Sequence, residues 1–119
     1  MHASLNHSSV FKKEFDTRQT NAIGETLTLG GLYVPAIAYN KPVQILNGQQ
    51  DYFYCQGNCL AEGSDITAEA LALFYPNAPV GKSQAVTLPT MGHNINLHYG
   101  RLDAFAKMLS FISGAGVSP

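Results

Sequence analysis

The 119-residue sequence predicts an α/β fold with two or three mostly parallel strands, an N-terminal helix, a crossover helix and a C-terminal amphipathic helix. Two observations predict it. Short apolar segments at 43–47 and 83–88 end in turn-forming residues, which is typical of strands covered on both faces. Apolar residues recur at helical spacing between these two segments and again after the second segment. This strand–helix–strand–helix order is that of a parallel sheet.

Composition argues against two classes of partner. The net charge is −1 and the seven Lys and Arg residues are scattered, so we expect no nucleic-acid partner. No apolar run approaches the roughly 20 residues that span a bilayer, so we expect no membrane partner. Residues 1–8 lack the basic start and apolar run of a secretory signal.

Residues 1–41 are predicted to form an N-terminal helix and an irregular connection. Ser8 or Ser9 can cap a helix over 10–18. The segment Glu25–Gly31 alternates between polar and apolar residues, which predicts a third, short strand. Glycine and proline make 30–42 irregular.

Residues 42–119 are predicted to form a β-α-β-α unit. The first strand covers 43–47 and the second 83–88. Between them, a helix over 67–75 is capped by Ser64 or Asp65 and stopped by Pro76. From about Leu97, helical spacing predicts a closing helix. We expect its buried face to hold Leu102, Phe105, Met108, Leu109 and Ile112.

An acid follows the first strand of this unit and a histidine follows the second. These residues are Asp51 and His93. Because a crossover helix makes the strands parallel, both should emerge at one edge of the sheet. Alone, either residue is usually a turn, cap or core residue. In this order, they match the last two members of a Ser…Asp/Glu…His triad, with Nδ1 of the histidine facing the acid.

Three pieces of the sequence resemble the C-terminal part of the α/β-hydrolase family. They are Pro42-Val-Gln-Ile-Leu-Asn-Gly-Gln-Gln-Asp51, Met91-Gly-His-Asn-Ile-Asn-Leu-His98 and the closing amphipathic helix. Fungal, secreted members of the family are similar in the stretch Asp51-Tyr-Phe-Tyr-Cys-Gln-Gly-Asn-Cys59. The segment Ile23–Gly31 resembles the part of those proteins that precedes the strand leading to the triad acid.

The resemblance implies a partial α/β-hydrolase fold that cleaves ester or related acyl bonds without a cofactor or metal. Asp51 would be the triad acid and His93 the general base. The substrate of the parent family would be a small ester-like molecule, and the compartment extracellular.

The nucleophile of such a triad is not recognisable in the sequence. The chain has no G-x-S-x-G turn, and Ser4, Ser8 and Ser9 lack flanking glycines. We therefore expect a C-terminal fragment or degenerate paralogue that is inactive alone. The alternative is a non-catalytic binding or interaction module that uses the residual cleft or the open sheet edge, through which the chain could also self-associate.

Cys55 and Cys59 lie four residues apart in the loop after Asp51. We expect the two to form a disulfide, which would close a loop so short that it adds at most about 2 kcal/mol and would stiffen this loop after Asp51, the acid loop, more than the fold. Free thiols and metal ligation are the alternatives.

Other residues that could carry chemistry have two interpretations each. The aromatic cluster Tyr52–Tyr54 either packs beneath the acid loop or lines an acyl pocket. His98 is interpreted as structural or surface, and His2 and His7 as inert.

Overall fold

The fold is a two-stranded parallel sheet with helices around it. The computed structural model describes residues 8–115. Its helices and strands, in chain order, are α1 Ser8–Thr17, α2 Ile23–Thr28, β1 Gln44–Gly48, α3 Tyr52–Cys55, α4 Ile66–Phe74, β2 Gln84–Leu88 and α5 Arg101–Gly114. No helix within the described range is long and apolar enough to cross a membrane.

The parallel pairing of β1 and β2 confirms the predicted α/β arrangement. Gln44 pairs with Gln84, and the register continues without a bulge to Gly48 opposite Leu88. Helix α4 makes the crossover between the strands and contacts both. The two strands therefore end side by side, and the loops that follow them start at the same edge.

A polar cluster attaches the first turn of α4 to β2. Asp65 caps the helix by accepting hydrogen bonds from the backbone N–H groups of Thr67 and Ala68. Its Oδ1 also lies 2.9 Å from the Thr87 hydroxyl on β2, which is 2.7 Å from the buried Thr67 hydroxyl. A cap that also bonds to the sheet fixes where the crossover helix begins.

The apolar core is small and lies between the sheet and α5. Leu88, Met91 and Ala104 are buried, and Leu46, Val86 and Ile95 pack against them. Ala104 is the buried residue of α5, and its small side chain lets the helix backbone come near the sheet.

The predicted buried face of α5 is wrong. Of the five residues expected there, only Met108 is half-buried, while Leu102 is 71% and Leu109 64% exposed. The helix turns Ala104 inward instead. Two strands cover only a narrow stripe of a helix, so Leu102 and Leu109 stay largely exposed and Phe105 and Ile112 are only partly covered.

The strand expected at 25–31 is also wrong. Residues 23–28 form α2, and a 3-10 turn follows at Leu29–Leu32. The Glu25 carboxylate accepts a hydrogen bond from the Ala22 N–H, and the Thr28 hydroxyl donates to the Gly24 carbonyl. These local bonds favour a helix where no neighbouring strand offers a ladder. The described sheet therefore has two strands.

The side of β1 away from β2 borders a cavity of about 680 Å³. Consecutive strand residues, 45–47, line it together with one face of α4 and the segment 33–36. Because both even and odd strand residues line the cavity, it runs along the strand edge and not over one face of the sheet.

We expect Thr87→Val to lower the free energy of unfolding by about 1–2 kcal/mol, because Asp65 and Thr67 each lose a hydrogen-bond partner. Urea unfolding measures the change. Thr20→Val is the matched control, since Thr20 is exposed and lies outside the helices and strands. Equal unfolding midpoints for the two variants would contradict the role of the cluster.

Candidate functional site

Backbone hydrogen bonds join the loop after β1 to the last residue of β2 and to the loop that follows it. The N–H of Gln49 donates to the Leu88 carbonyl at 2.7 Å, and the N–H of Gln50 donates to the Met91 carbonyl at 2.7 Å. The pairing of the strands thus continues past their ends. It brings the chain to Asp51 on one side and to His93 on the other.

Gly48 is required where the two loops cross. A Cβ built on this buried glycine would collide with the Met91 carbonyl oxygen and lie 2.5 Å from the Gly92 carbonyl oxygen. Both obstacles are backbone atoms, which cannot move aside as a flexible side chain does. The absence of a side chain at position 48 therefore sets how closely the loops approach.

Asp51 is fully buried and both of its carboxylate oxygens are used. Oδ1 accepts a hydrogen bond from the Tyr54 N–H at 3.0 Å, which makes Asp51 the N-cap of α3. Oδ2 lies 2.9 Å from Nδ1 of His93. The interpretations of Asp51 as a cap and as the partner of a histidine are both correct, since each oxygen serves one purpose.

The ring of His93 is half in contact with the protein and half in solvent, with 54% of its side chain exposed. A buried carboxylate at Nδ1 favours the tautomer that carries the proton there, so that Nε2 is left as a base. Phe53 and Tyr54 flank the ring, with centroids 5.2 Å and 5.4 Å away.

The loop that carries Asp51 is closed by a disulfide between Cys55 and Cys59, as predicted. Their Cα atoms are 4.9 Å apart, within the usual range for a bridge. The bond takes up both thiols, so the alternatives of free thiols and metal ligation do not apply to these residues. The Cys59 N–H donates to the Gln49 carbonyl, and the Ile66 N–H donates to the Cys59 carbonyl. Cys59 thereby attaches the loop both to the residue that follows β1 and to the first residue of α4.

The structure brings together the pair singled out from the sequence and changes the interpretation of its neighbours. The rings of Tyr52, Phe53 and Tyr54 are largely exposed, so they do not pack beneath the acid loop. Ser8 and Ser9 lie in α1, whereas Ser4, His2 and His7 fall outside the described residues. No group of three metal-ligating side chains occurs within residues 8–115.

His98 has a closer relation to the site than the sequence indicated. Its ring is buried, and its Nε2 accepts a hydrogen bond from the N–H of Gly92 at 3.0 Å. Burial lowers the pKa of His98 below its ordinary value of 6.5, because desolvation disfavours the charged ring. A histidine five residues after His93 carries no sequence signal for this contact.

No protein-family model matches the chain, and no curated protein or solved structure is significantly similar to it. A half-exposed imidazole that a buried carboxylate orients is suited to accept a proton, and the carboxylate stabilises the resulting imidazolium.

We expect Gly48→Ala to lower the free energy of unfolding by about 3 kcal/mol, because the added methyl group meets backbone carbonyls of the neighbouring loop. Gly24→Ala is the matched control: nothing lies within 4 Å of a Cβ at that position. Chemical denaturation compares the two. If Gly48→Ala were as stable as the control, the close loop crossing would be refuted.

We expect the free energy of unfolding to fall as the pH drops below about 6.5, because the unfolded chain binds a proton that the buried His98 ring resists. Above this pH the ring is neutral in both states and contributes no slope. His98→Gln keeps an acceptor near the Gly92 N–H and does not titrate.

The pH dependence of His98→Gln should therefore be shallower than that of the wild type. Urea unfolding at pH 7.5 and 5.5 for both proteins gives the two slopes. Identical slopes would contradict the desolvation of the ring.

Proposed function

We propose that Asp51 and His93 are the acid and the general base of a serine-hydrolase-type catalytic triad. In this proposal the chain is the C-terminal portion of an α/β-hydrolase, or a degenerate paralogue of one. The observation that carries it is the 2.9 Å contact between the buried Asp51 carboxylate and Nδ1 of the half-exposed His93 ring. The contact uses the ring nitrogen that a triad acid uses.

The roles of the two residues follow from their surroundings. Asp51, without solvent contact, holds the imidazole in one tautomer and one orientation. Nε2 of His93 would accept the proton of a serine hydroxyl as its oxygen attacks an acyl carbon, and would return the proton to the leaving group. The serine and the donors that stabilise the oxyanion would come from outside the described residues.

We propose that this chain alone does not turn over esters. A serine becomes nucleophilic only when a positioned base and oxyanion donors act together, and the sequence contains no G-x-S-x-G turn that would supply the nucleophile. The parent reaction would be hydrolysis of an ester or related acyl bond.

A second candidate function is a non-catalytic interaction module. The cavity of about 680 Å³ along the free edge of β1 favours it, since an open strand edge offers backbone donors and acceptors beside apolar side chains. In that case the contact between Asp51 and His93 would only stabilise the two loops that carry these residues.

We expect His93 to react with diethyl pyrocarbonate at Nε2 faster than the buried His98. Asp51→Asn should slow the reaction at His93 by about tenfold or more, because the amide no longer favours the proton on Nδ1. Peptide mapping by mass spectrometry reports each histidine separately. Asp103→Asn is the matched control, since this aspartate is exposed on α5, where it pairs with Lys107.

The same protein is then incubated with short-chain nitrophenyl esters and a fluorophosphonate probe, and no turnover and no stoichiometric labelling are expected. Unchanged acylation of His93 in Asp51→Asn would overturn the acid–base pair. Labelling of one serine that His93→Ala abolishes would overturn the proposal that the chain alone is inactive.

A further inference from the structure

His98 contacts the turn that carries His93 from the side opposite the acid loop. Its Nε2 accepts the N–H of Gly92, the residue immediately before His93, at 3.0 Å. The ring lies directly over Gly92: a Cβ built there would be 3.4 Å from Nε2 and 3.6 Å from Cε1. The ring is thus in van der Waals range of the Gly92 backbone.

The protonation state of His98 follows from this contact. A nitrogen that accepts an N–H bond is unprotonated, so the neutral ring carries its proton on Nδ1. Nδ1 of His98 is buried and has no hydrogen-bond partner within residues 8–115. Burying an unpaired donor is unfavourable. The hydrogen bond from the Gly92 N–H to Nε2 offsets part of this cost.

The backbone of His98 links this turn to the closing helix. Its N–H donates to the Ile95 carbonyl, and its own carbonyl accepts from the N–H of Arg101, the first residue of α5. Helix α5 is in turn anchored in the core through Ala104. The position of the ring is therefore set by elements that are independent of the acid loop.

The turn before His93 is consequently held from two sides. On one side, the Met91 carbonyl accepts the N–H of Gln50 from the acid loop. On the other side, His98 holds the same peptide, Met91–Gly92, through the N–H of Gly92. Together these two bonds leave little freedom for the Met91–Gly92 peptide, and His93 is the next residue after it.

We propose that His98 is a positioning residue that orients the Met91–Gly92 peptide, directly before His93, so that Nδ1 of His93 meets the Asp51 carboxylate. The proposal rests on the proposed function, in which His93 is the general base. His98 itself is buried and acts through the Gly92 backbone.

A purely structural role predicts a different result. If His98 only filled space, its replacement would lower stability and leave the tautomer of His93 unchanged. If it positions His93, loss of the Gly92 bond should also change the protonation pattern of the His93 ring, and an acceptor on another side chain should restore that pattern.

The test is nitrogen-15 NMR of histidine-labelled full-length chain, which reports the tautomer of each ring, together with hydrogen exchange at the Gly92 amide. The variants are His98→Leu, which removes the acceptor, and His98→Gln, which keeps one. Asp51→Asn is the reference for a lost acid–base contact. In the wild type, we expect the proton of His98 on Nδ1 and that of His93 on Nδ1.

In His98→Leu, we expect about tenfold faster exchange of the Gly92 amide and loss of the preference for Nδ1–H at His93, as in Asp51→Asn. His98→Gln should restore both. An unchanged His93 tautomer in folded His98→Leu, with a changed one in Asp51→Asn, would overturn the positioning role and leave the acid–base pair standing.

Two further results bear on the proposal. A proton on Nε2 of wild-type His98 would overturn the positioning role without any variant, so the test holds even if His98→Leu fails to fold. An Asp51→Asn spectrum with an unchanged His93 tautomer would overturn the proposed function and, with it, the role of His98.

Discussion

The site depends on one constraint: the backbones of the two loops that follow β1 and β2 are hydrogen-bonded to each other. Gln49 and Gln50 donate to the carbonyls of Leu88 and Met91, and Gly48 allows the chains to cross in contact. Backbone bonds of this kind do not depend on side-chain rotamers. They therefore place the Cα atoms of Asp51 and His93 before any side chain is considered.

The acid loop adds a second level of order around Asp51. The carboxylate caps α3 with one oxygen and meets His93 with the other. Burying a carboxylate is unfavourable unless its oxygens are paired, and here both are. The disulfide between Cys55 and Cys59 then closes the loop around this acid. Removing either hydrogen-bond partner, the Tyr54 N–H or the His93 ring, would leave the buried carboxylate with one oxygen unpaired.

Much of this architecture could be predicted because it follows from local patterns. The apolar runs at 43–47 and 83–88 predicted the two strands, and the order of the elements predicted their parallel pairing. Parallel strands that end together imply that Asp51 and His93 share an edge. The spacing of Cys55 and Cys59 predicted a bridge. The catalytic roles of Asp51 and His93 stay predictions.

The errors have two causes, local side-chain hydrogen bonds and tertiary packing. The alternation in 25–31 is short, and a helix forms there in which Glu25 accepts from the Ala22 N–H and the Thr28 hydroxyl donates to the Gly24 carbonyl. Helical spacing in α5 marked its largest apolar residues, but the two-stranded sheet accepts the small Ala104 instead. The contact of His98 with Gly92 depends on how the start of α5 folds back over the turn, which no local pattern encodes.

Native-state hydrogen exchange at Gln49 and Gln50 tests most directly whether the two loops are joined. We predict that these amides open with the same free energy as the amides bonded between β1 and β2, because the loops continue the pairing of the sheet. Exchange of Gln49 and Gln50 at the rate of an unstructured chain, while the strand amides stay protected, would contradict the account.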